Sequence, residues 1–143
     1  MGAHSAMTRA FNAELQASSG LTVTDFEVLR RLSTAPDGAM RRVDLAAAVG
    51  LTPSGITRLL DGLQASGLVA KRLCTSDARV TYAELTPAGR AAMLAAAESH
   101  LAGLTALFGE LYEPEEVDTL IALLSRLPGA EDAEDACPGA GGG

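Results

Sequence analysis

Apolar residues recur at helical spacing along most of this chain, which predicts a mainly α-helical protein. A first helix is expected from Met7 to about Ser18. A second helix should begin at Thr24, because Glu27 three residues later completes the pattern of a capping box. The turn residues at 36–38 should end that helix.

Two further helices are predicted on either side of a turn that contains glycine. Residues 43–49 form a short helical pattern that closes at Gly50. Thr52 suits the N-cap of the next helix, and Pro53 suits its first position, where the missing N–H group costs nothing. That helix should run to about Ser66. Helix, tight turn and helix together predict a helix-turn-helix motif.

Alternating residues replace the helical spacing between the helix-turn-helix and the next N-cap signal. Segments 68–73 and 80–85 are predicted to form the two strands of a β-hairpin, joined by a turn that carries Arg79. The expected fold class is therefore mainly α with a small β-hairpin: a winged helix-turn-helix lobe accompanied by a helical region.

Helical patterns return after the hairpin. Thr86 and Pro87 repeat the N-cap and first-position signal and begin a long Ala- and Leu-rich helix to about Leu111. A last helix follows Pro114. Its apolar stripe consists of Val117, Leu120, Ile121, Leu124 and Leu127. Residues 128–143 are acidic and then Gly-rich, and we expect them to be disordered.

Charge is distributed unevenly along the chain. The whole sequence carries a net charge of −7, which by itself argues against a nucleic-acid partner. Residues 41–90 nevertheless hold seven cations and four anions, while the remainder carries −10. Such asymmetry points to a local anionic partner, although random surface charge is the plainer explanation. The cations are Arg41, Arg42, Arg58, Lys71, Arg72, Arg79 and Arg90, and the anions are Asp44, Asp61, Asp77 and Glu84.

The helix that begins at Pro53 has a polar face that suits DNA. This face presents Ser54, Thr57 and Arg58. In a major groove, an arginine binds guanine through two hydrogen bonds, and hydroxyls meet phosphates or base edges. Gly55 would let the helix approach the duplex closely. An ordinary amphipathic surface helix is the alternative explanation, and the nearby Arg-tipped hairpin argues against it.

Two segments resemble the MarR family of winged helix-turn-helix regulators. The run LTPSGITRLLDGL at 51–63 resembles the family's recognition helix. Asp77-Ala78-Arg79, followed by Leu85-Thr86, matches the family's D-x-R-x-x-x-x-x-L-T wing signature. The resemblance covers residues 21–127, and the two motifs occur in the family's order.

The resemblance implies a DNA-binding transcriptional regulator that acts as a homodimer. Many members are ligand-responsive repressors, and two lobes related by two-fold symmetry would read a pseudo-palindromic operator. Regions 7–20 and 88–127 would form the helical dimerisation region, and residues 21–87 would form the DNA-binding lobe. The first helix starts nearer the terminus than is usual in the family, so a shortened dimer surface is expected.

The resemblance also assigns DNA-binding roles to individual residues. Arg79 would enter the minor groove, and Asp77 would brace the wing turn or orient Arg79. The residues expected at the major groove are Thr52, Ser54, Gly55, Thr57 and Arg58. The candidates for phosphate contacts are Arg42, Lys71 and Arg72.

Two kinds of control signal are compatible with the sequence. Phe11 and Phe26 could line a pocket for a small aromatic or phenolic effector, although both also suit an ordinary core. Cys74 lies at the start of the wing near Lys71 and Arg72, whose charges would lower its pKa and favour oxidation. An inert cysteine is the alternative for Cys74.

Other function classes have less support. Two distant histidines and two distant cysteines, Cys74 and Cys137, do not form a catalytic cluster, a metal site or a disulfide framework, so neither an enzyme nor a cofactor is expected. We expect no apolar run long enough to span a bilayer, and therefore a cytoplasmic protein without a membrane partner. A winged-helix protein-interaction module without DNA binding is the competing function, because the total charge is acidic.

Overall fold

The computed structural model describes residues 2–127, so the predicted tail at 128–143 lies outside the described residues. The chain divides into two compact units after Leu101, within one long helix. The helices are α1 (Gly2–Ser19), α2 (Val23–Thr34), α3 (Arg42–Ala48), α4 (Pro53–Ala65), α5 (Pro87–Leu111) and α6 (Pro114–Leu124). The strands are β1 (Ala39–Arg41), β2 (Val69–Leu73) and β3 (Thr81–Leu85), and a 3₁₀ turn spans Pro36–Gly38. A mainly helical fold with a small sheet confirms the predicted fold class.

The first two helices begin earlier than the sequence pattern predicts. α1 starts at Gly2 rather than Met7. The N-cap of α2 is Thr22 and not Thr24, because Thr22 forms the capping box with Asp25. The Asp25 N–H donates to Thr22 Oγ1 at 3.1 Å, and Asp25 Oδ2 accepts from the Thr22 N–H at 2.9 Å. The predicted box was therefore displaced by two residues.

Contacts beyond the local pattern explain this choice of cap. Asn12 of α1 accepts a hydrogen bond from the Val23 N–H at 2.9 Å, which satisfies one more N–H group in the first turn of α2. Glu27, expected in the box, binds the guanidinium groups of Arg30 and Arg31, each at 2.8 Å. Burial alone would raise the pKa of Glu27, but the hydrogen bonds and charges of both arginines outweigh burial and lower that pKa.

The sheet has three antiparallel strands in the order β1-β3-β2. The hairpin of β2 and β3 was predicted, but β1 was not, because three residues are too short to show an alternating pattern. β1 exists through its pairing with β3, where Arg41 lies opposite Tyr82. Arg72 of β2 lies opposite the same tyrosine, so these three side chains share one face of the sheet.

The core of the first unit joins the helices to the opposite face of the sheet. Ala83 of β3 is buried in this core and faces inwards from the centre of the sheet. The buried apolar residues are Leu15, Leu21, Val28, Leu29, Leu32, Leu45, Ala46, Ile56, Leu60, Leu63, Val69, Ala83, Met93 and Ala96. α3 and α4 are thus held on the sheet by one continuous cluster, with α4 contributing three residues to it.

The chain crosses itself closely where the wing hairpin meets α5. The Thr86 hydroxyl donates to the carbonyl oxygen of Gly67 at 2.7 Å, and the Thr86 N–H donates to that of Leu68 at 3.2 Å. The Gly89 N–H donates back to Thr86 Oγ1 at 2.9 Å, which caps α5. A Cβ atom at Gly89 would overlap the Leu68 carbonyl oxygen and lie 2.9 Å from Leu85 Cδ1. Only glycine fits this crossing without displacement of the backbone.

α5 differs from the prediction in one respect. By length and composition alone, Pro87–Leu111 is long and apolar enough to cross a membrane, so the expectation that no such segment exists was wrong. The reason is its Ala- and Leu-rich composition, which gives this helix a high mean hydropathy. Met93 and Ala96 of this helix are buried in the core of the first unit, whereas Leu94 and Leu101 are exposed.

The second unit presents a large amount of apolar surface. α6 begins at Pro114, as predicted, but ends at Leu124 rather than Leu127. Ile121, Leu124 and Leu127 are each more than half exposed. Phe108 and Tyr112 stack on each other with ring centroids 5.8 Å apart.

Replacement of Gly89 by alanine tests the crossing. We expect Gly89→Ala to lower the free energy of unfolding by about 1–3 kcal/mol, because the added methyl group must push the Leu68 backbone aside. Gly62→Ala is the matched control, since a Cβ there meets nothing within 4 Å and alanine stabilises a helix interior by roughly 0.5–1 kcal/mol. Urea unfolding measures both changes, and equal stability of the two variants would contradict the tight crossing.

Candidate nucleic-acid interface

The N-terminus of α4 is held in position by local hydrogen bonds. Thr52 Oγ1 accepts from the Gly55 N–H at 3.1 Å, and Pro53 occupies the first helical position, as predicted. A Cβ atom at Gly55 would lie 3.1 Å from Thr52 Oγ1. The absence of a side chain at Gly55 therefore makes room for the cap hydroxyl, a local reason for glycine besides the predicted close approach to DNA. Ile56, Leu60 and Leu63 fix the inner face of the helix in the core.

The outer face of α4 carries two of the predicted DNA-contacting residues. Ser54 and Arg58 are exposed and lie four residues apart, one above the other on the helix surface. Asp61 lies on the same exposed side. Arg58 forms no ion pair within residues 2–127, so its guanidinium is available to a ligand.

Thr57 lies at the edge of this face rather than at its centre. It is only partly exposed, and its hydroxyl donates to the Pro53 carbonyl oxygen at 2.8 Å. Thr57 Oγ1 also accepts from Arg42 Nη1 at 3.4 Å. Because its hydroxyl is engaged within the protein, we expect Thr57 to position Arg42 rather than to read a base.

Lys71 connects the wing to α4. Its ammonium group on β2 forms an ion pair and hydrogen bond with Asp61 Oδ1. Asp61 lies four residues after Thr57, so the same edge of α4 holds two cations, Arg42 and Lys71. The two predicted phosphate contacts are therefore brought together, and each is held by a side chain of α4.

Arg72 lies on the other face of the hairpin. Its Nε is 3.5 Å from Glu84 Oε2, and its Cζ atom lies 5.4 Å from the centroid of the Tyr82 ring. Arg41 lies on the same face, opposite Tyr82, and its Nε is 3.7 Å from Asp44 Oδ2. The structure thus places Arg72 apart from Arg42 and Lys71, so the three predicted phosphate contacts do not form one cluster.

The wing turn presents Arg79 to solvent. Its side chain is 91% exposed. Asp77 Oδ1 accepts from the Arg79 N–H at 3.0 Å and from Arg79 Nε at 3.2 Å. The backbone hydrogen bond, followed by that of the guanidinium, holds the pKa of Asp77 below its ordinary value. Asp77 therefore both braces the turn and contacts the Arg79 side chain, the two roles that the family resemblance offered as alternatives.

The wing and the helix-turn-helix approach each other at the start of α3. A small cavity of about 60 Å³ separates them, and its lining includes Arg42 and Val43 on one side and Arg79 on the other. Arg42 and Arg79 therefore lie at the same edge of the first unit. The arrangement gives one exposed helix face and one exposed arginine on a stiff hairpin, both anchored in the same core.

Intramolecular carboxylates neutralise most of the positive charge in this region. Each of the four anions in residues 41–90 pairs with one cation: Asp44 with Arg41, Asp61 with Lys71, Asp77 with Arg79 and Glu84 with Arg72. Seven cations and four anions give residues 41–90 a net charge of +3. This charge corresponds to the three cations that form no ion pair within the described chain, Arg42, Arg58 and Arg90. The sequence revealed the charge balance of this region but not which charges pair.

Cys74 lies beside a cleft of about 580 Å³ on the wing, between the 3₁₀ turn and β2. It is partly exposed, and its Sγ lies 3.1 Å from Ser76 Oγ. The Ser76 hydroxyl, followed by the backbone N–H groups of Ser76 and Asp77, lowers the pKa of the Cys74 thiol. The predicted lowering is present, but its predicted cause was wrong, because Lys71 and Arg72 are engaged with Asp61 and Glu84.

Phe11 and Phe26, the candidate effector-pocket residues, both contact His100. The Phe11 and His100 rings meet edge to face at 5.3 Å between centroids, and Phe26 lies 6.2 Å from the same ring. His100 Nδ1 is 3.2 Å from Glu14 Oε2. The three rings come from three separate helices, so no spacing in the sequence indicates that they meet. Within residues 2–127, no group of three or more His, Cys, Asp or Glu side chains could hold a metal ion.

Comparison with known proteins agrees with this geometry. The model of the MarR family matches residues 19–80. The HTH-type transcriptional repressor YetL of Bacillus subtilis is 34% identical over 111 residues, which make up 78% of this chain and 66% of YetL. The chain therefore spans slightly less than two thirds of the length of that relative.

Two solved structures from Streptomyces coelicolor share the fold. AbsC, a MarR family transcriptional regulator, is 31% identical with a TM-score of 0.73, and the match covers 92% of this chain and 87% of AbsC. Sco3205, a MarR family regulator crystallised in complex with DNA, has a TM-score of 0.75 at 22% identity, with 91% and 84% of the two chains covered. At that identity, the likeness to Sco3205 shows the fold alone. The winged lobe, the family-model match and the identity with AbsC together show that this chain belongs to the MarR family of transcriptional regulators.

Proposed function

We propose that this protein is a sequence-specific DNA-binding repressor that binds a pseudo-palindromic operator as a homodimer. One observation carries DNA binding: the exposed polar face of α4 and the exposed, braced Arg79 belong to one compact unit. YetL is named as a repressor, and Sco3205 was crystallised with DNA, which supports the proposal without extending it to an operator. The family consists of transcriptional regulators, so we propose no catalytic activity and a cytoplasmic location.

The two elements suit different grooves of a duplex. α4 would place Ser54 and Arg58 in the major groove, where a guanidinium binds the O6 and N7 atoms of guanine. Arg79 would enter the adjacent minor groove, whose negative potential attracts an arginine. Arg42, held by Thr57, would contact the phosphate backbone between the two grooves.

The homodimer is supported by exposed apolar side chains. Leu111, Ile121 and Leu124 of the second unit are each more than half exposed, and a soluble monomer rarely leaves so many large apolar residues in water. A two-fold partner that offers the same residues would bury them. A dimer would also supply the second lobe that a pseudo-palindromic operator requires.

We further propose that a small aromatic or phenolic effector controls DNA binding. Phe11 and Phe26 are the candidate stacking surfaces, and both already contact the His100 ring. An aromatic effector would have to displace that ring or stack beside it. His100 would then be the residue that couples effector binding to the contact with Glu14 of α1.

A second mode of control is favoured by the geometry of Cys74. Its thiol is partly exposed and its pKa is lowered, and both properties favour oxidation of a cysteine. The Cys74 N–H donates to the Val80 carbonyl oxygen at 3.0 Å, directly beside Arg79. Modification of the thiol would therefore act on the base of the wing turn.

A winged-helix protein-interaction module is the alternative to DNA binding. Phosphate contacts release counterions from DNA, so a DNA-binding regulator should show affinity that falls steeply with salt concentration. Binding that is undetectable with every duplex would favour the interaction module.

Alanine substitutions at Arg79 and Arg58 test DNA binding. With a duplex selected from a random pool, we expect Arg79→Ala to weaken binding to all sequences, because the minor-groove contact is lost. We expect Arg58→Ala to lose about 1–3 kcal/mol of discrimination at one base pair in each half-site. Titration of labelled duplexes measures both effects. Arg9→Ala removes the same charge from α1 and should bind as the wild type does; wild-type affinity in all three variants would refute the proposal.

Introduction of a charge on α6 tests the homodimer. We expect the wild-type protein to sediment at twice its monomer mass, and Leu124→Glu to shift the equilibrium towards the monomer, because burial of a carboxylate against a partner is unfavourable. Arg126→Glu places the same group two residues away at an already polar position and should leave the dimer intact. A dimer that survives Leu124→Glu, or a monomeric wild-type protein, would contradict the proposed interface.

The rate of alkylation tests the state of Cys74. In a Cys137→Ser background, the iodoacetamide rate should rise with pH at a midpoint below that of the unfolded chain, because the folded thiol loses its proton at lower pH. Ser76→Ala should move the midpoint upwards, since it removes the strongest of the lowering hydrogen bonds. Thr75→Ala should leave the midpoint unchanged. A midpoint that is equal in folded and unfolded protein would argue for an inert cysteine.

A further inference from the structure

Asp61 places a carboxylate on the face of α4 that would meet DNA. It is the only carboxylate in α4, and its side chain is 56% exposed on the same side as Arg58. A carboxylate at this position repels the phosphates of any duplex that approaches the helix. The helix therefore carries a negative charge where only favourable contacts with DNA would be expected.

Asp61 also occupies a cation that could otherwise contact a phosphate. Asp61 Oδ1 accepts a hydrogen bond from the ammonium group of Lys71. Lys71 must therefore release Asp61 before all of its N–H groups can bind a phosphate. Among the described residues, the second oxygen, Oδ2, accepts no hydrogen bond. That oxygen remains able to accept a hydrogen bond from a donor in the major groove.

Every base pair offers one such donor in the major groove, and the sequence decides on which side of the groove it lies. Cytosine presents its N4 amino group there, and adenine presents its N6 amino group. The repulsion of phosphates by Asp61 is the same for every sequence, whereas compensation by an amino donor depends on the sequence. A repulsive element combined with a sequence-dependent attraction is an effective source of discrimination.

We infer that Asp61 is a specificity-determining residue of the proposed DNA-binding function. Its carboxylate lowers the affinity for duplexes in general, and the affinity is restored where the base pair at one position of each half-site is oriented so that its cytosine or adenine amino group lies within reach of Asp61 Oδ2. This inference rests on the proposed function, because it requires that α4 enters a major groove.

The other three carboxylates of residues 41–90 do not share this geometry. Asp77 is engaged by the backbone and side chain of Arg79 within the wing turn. Glu84 belongs to β3 and pairs with Arg72, while Asp44 belongs to α3 and pairs with Arg41. Asp44 therefore provides a control carboxylate in the same unit, of equal exposure and in a similar ion pair, but outside α4.

The test compares a selected duplex with a scrambled duplex of equal length. We expect Asp61→Asn to bind the scrambled duplex more tightly and to reduce the ratio of the two affinities by about tenfold, the scale of one base-pair contact. When each base pair of the selected duplex is substituted in turn, Asp61→Asn should lose less affinity than the wild type at one base pair in each half-site. Asp44→Asn removes the same charge and should leave both the ratio and the base profile unchanged.

Two additional variants separate specificity from a structural role. Lys71→Gln should weaken binding to both duplexes while the base preference remains, because Asp61 is retained. Asp61→Glu retains the charge but displaces it by one methylene group, and it should keep the low affinity for scrambled DNA while altering the preferred base. These variants also provide the test if Asp61→Asn fails to fold.

The outcomes distinguish this inference from the proposed function. A wild-type protein that binds no selected duplex would overturn both. A wild-type protein that binds its selected duplex, with Asp61→Asn retaining the same affinity ratio and base profile, would overturn the role of Asp61 alone. An equal change in Asp44→Asn would show a general charge effect and would likewise overturn it.

Discussion

The close crossing of the chain at Leu68 determines where the wing lies relative to α4. Thr86 binds the carbonyl groups of Gly67 and Leu68, and Gly89 lies against the same backbone. The end of α4, both wing strands and the start of α5 therefore meet within a few residues. Close-packed backbone has little freedom to adjust, so α4 and the hairpin keep one relative position. A protein that contacts two grooves at once needs such a fixed separation, because a small displacement would remove one of the contacts.

Paired charges, rather than a surplus of positive charge, characterise the proposed DNA-binding surface. Within residues 41–90, four carboxylates pair with four of the seven cations, so this part of the chain is only modestly positive. Exposed ion pairs contribute little to stability, so their main consequence is geometric. Asp77 and Asp61 each hold a cation in one place, and Thr57 does the same for Arg42 without a charge. The overall acidity of the chain is therefore compatible with a local contact to DNA.

A contact in the site could be predicted from the sequence only where its residues lie close together in the chain. The Thr52 cap and the outward position of Arg58 follow from spacing within one element, and both were predicted, whereas the Asp77–Arg79 contact was implied by the resemblance to the MarR family. The pairing of Lys71 with Asp61 and the meeting of Phe11 and Phe26 at His100 join residues that are distant in the chain. Spacing carries no information about such contacts. The cause of the lowered Cys74 pKa was misjudged for the same reason, because sequence proximity to cations does not show where their side chains point.

The sequence by itself determined the order and type of the helices and of the wing strands β2 and β3, because caps, prolines and hydrophobic periodicity act over a few residues. It also determined the two motifs that indicate the MarR family. Tertiary structure decided three further features: the third strand β1, the Thr22 cap completed by Asn12, and the partner of each charge in the lobe. Each of these depends on groups that approach only when the chain folds. A strand of three residues has no pattern of its own, and an ion pair between two elements has no spacing that a sequence could reveal.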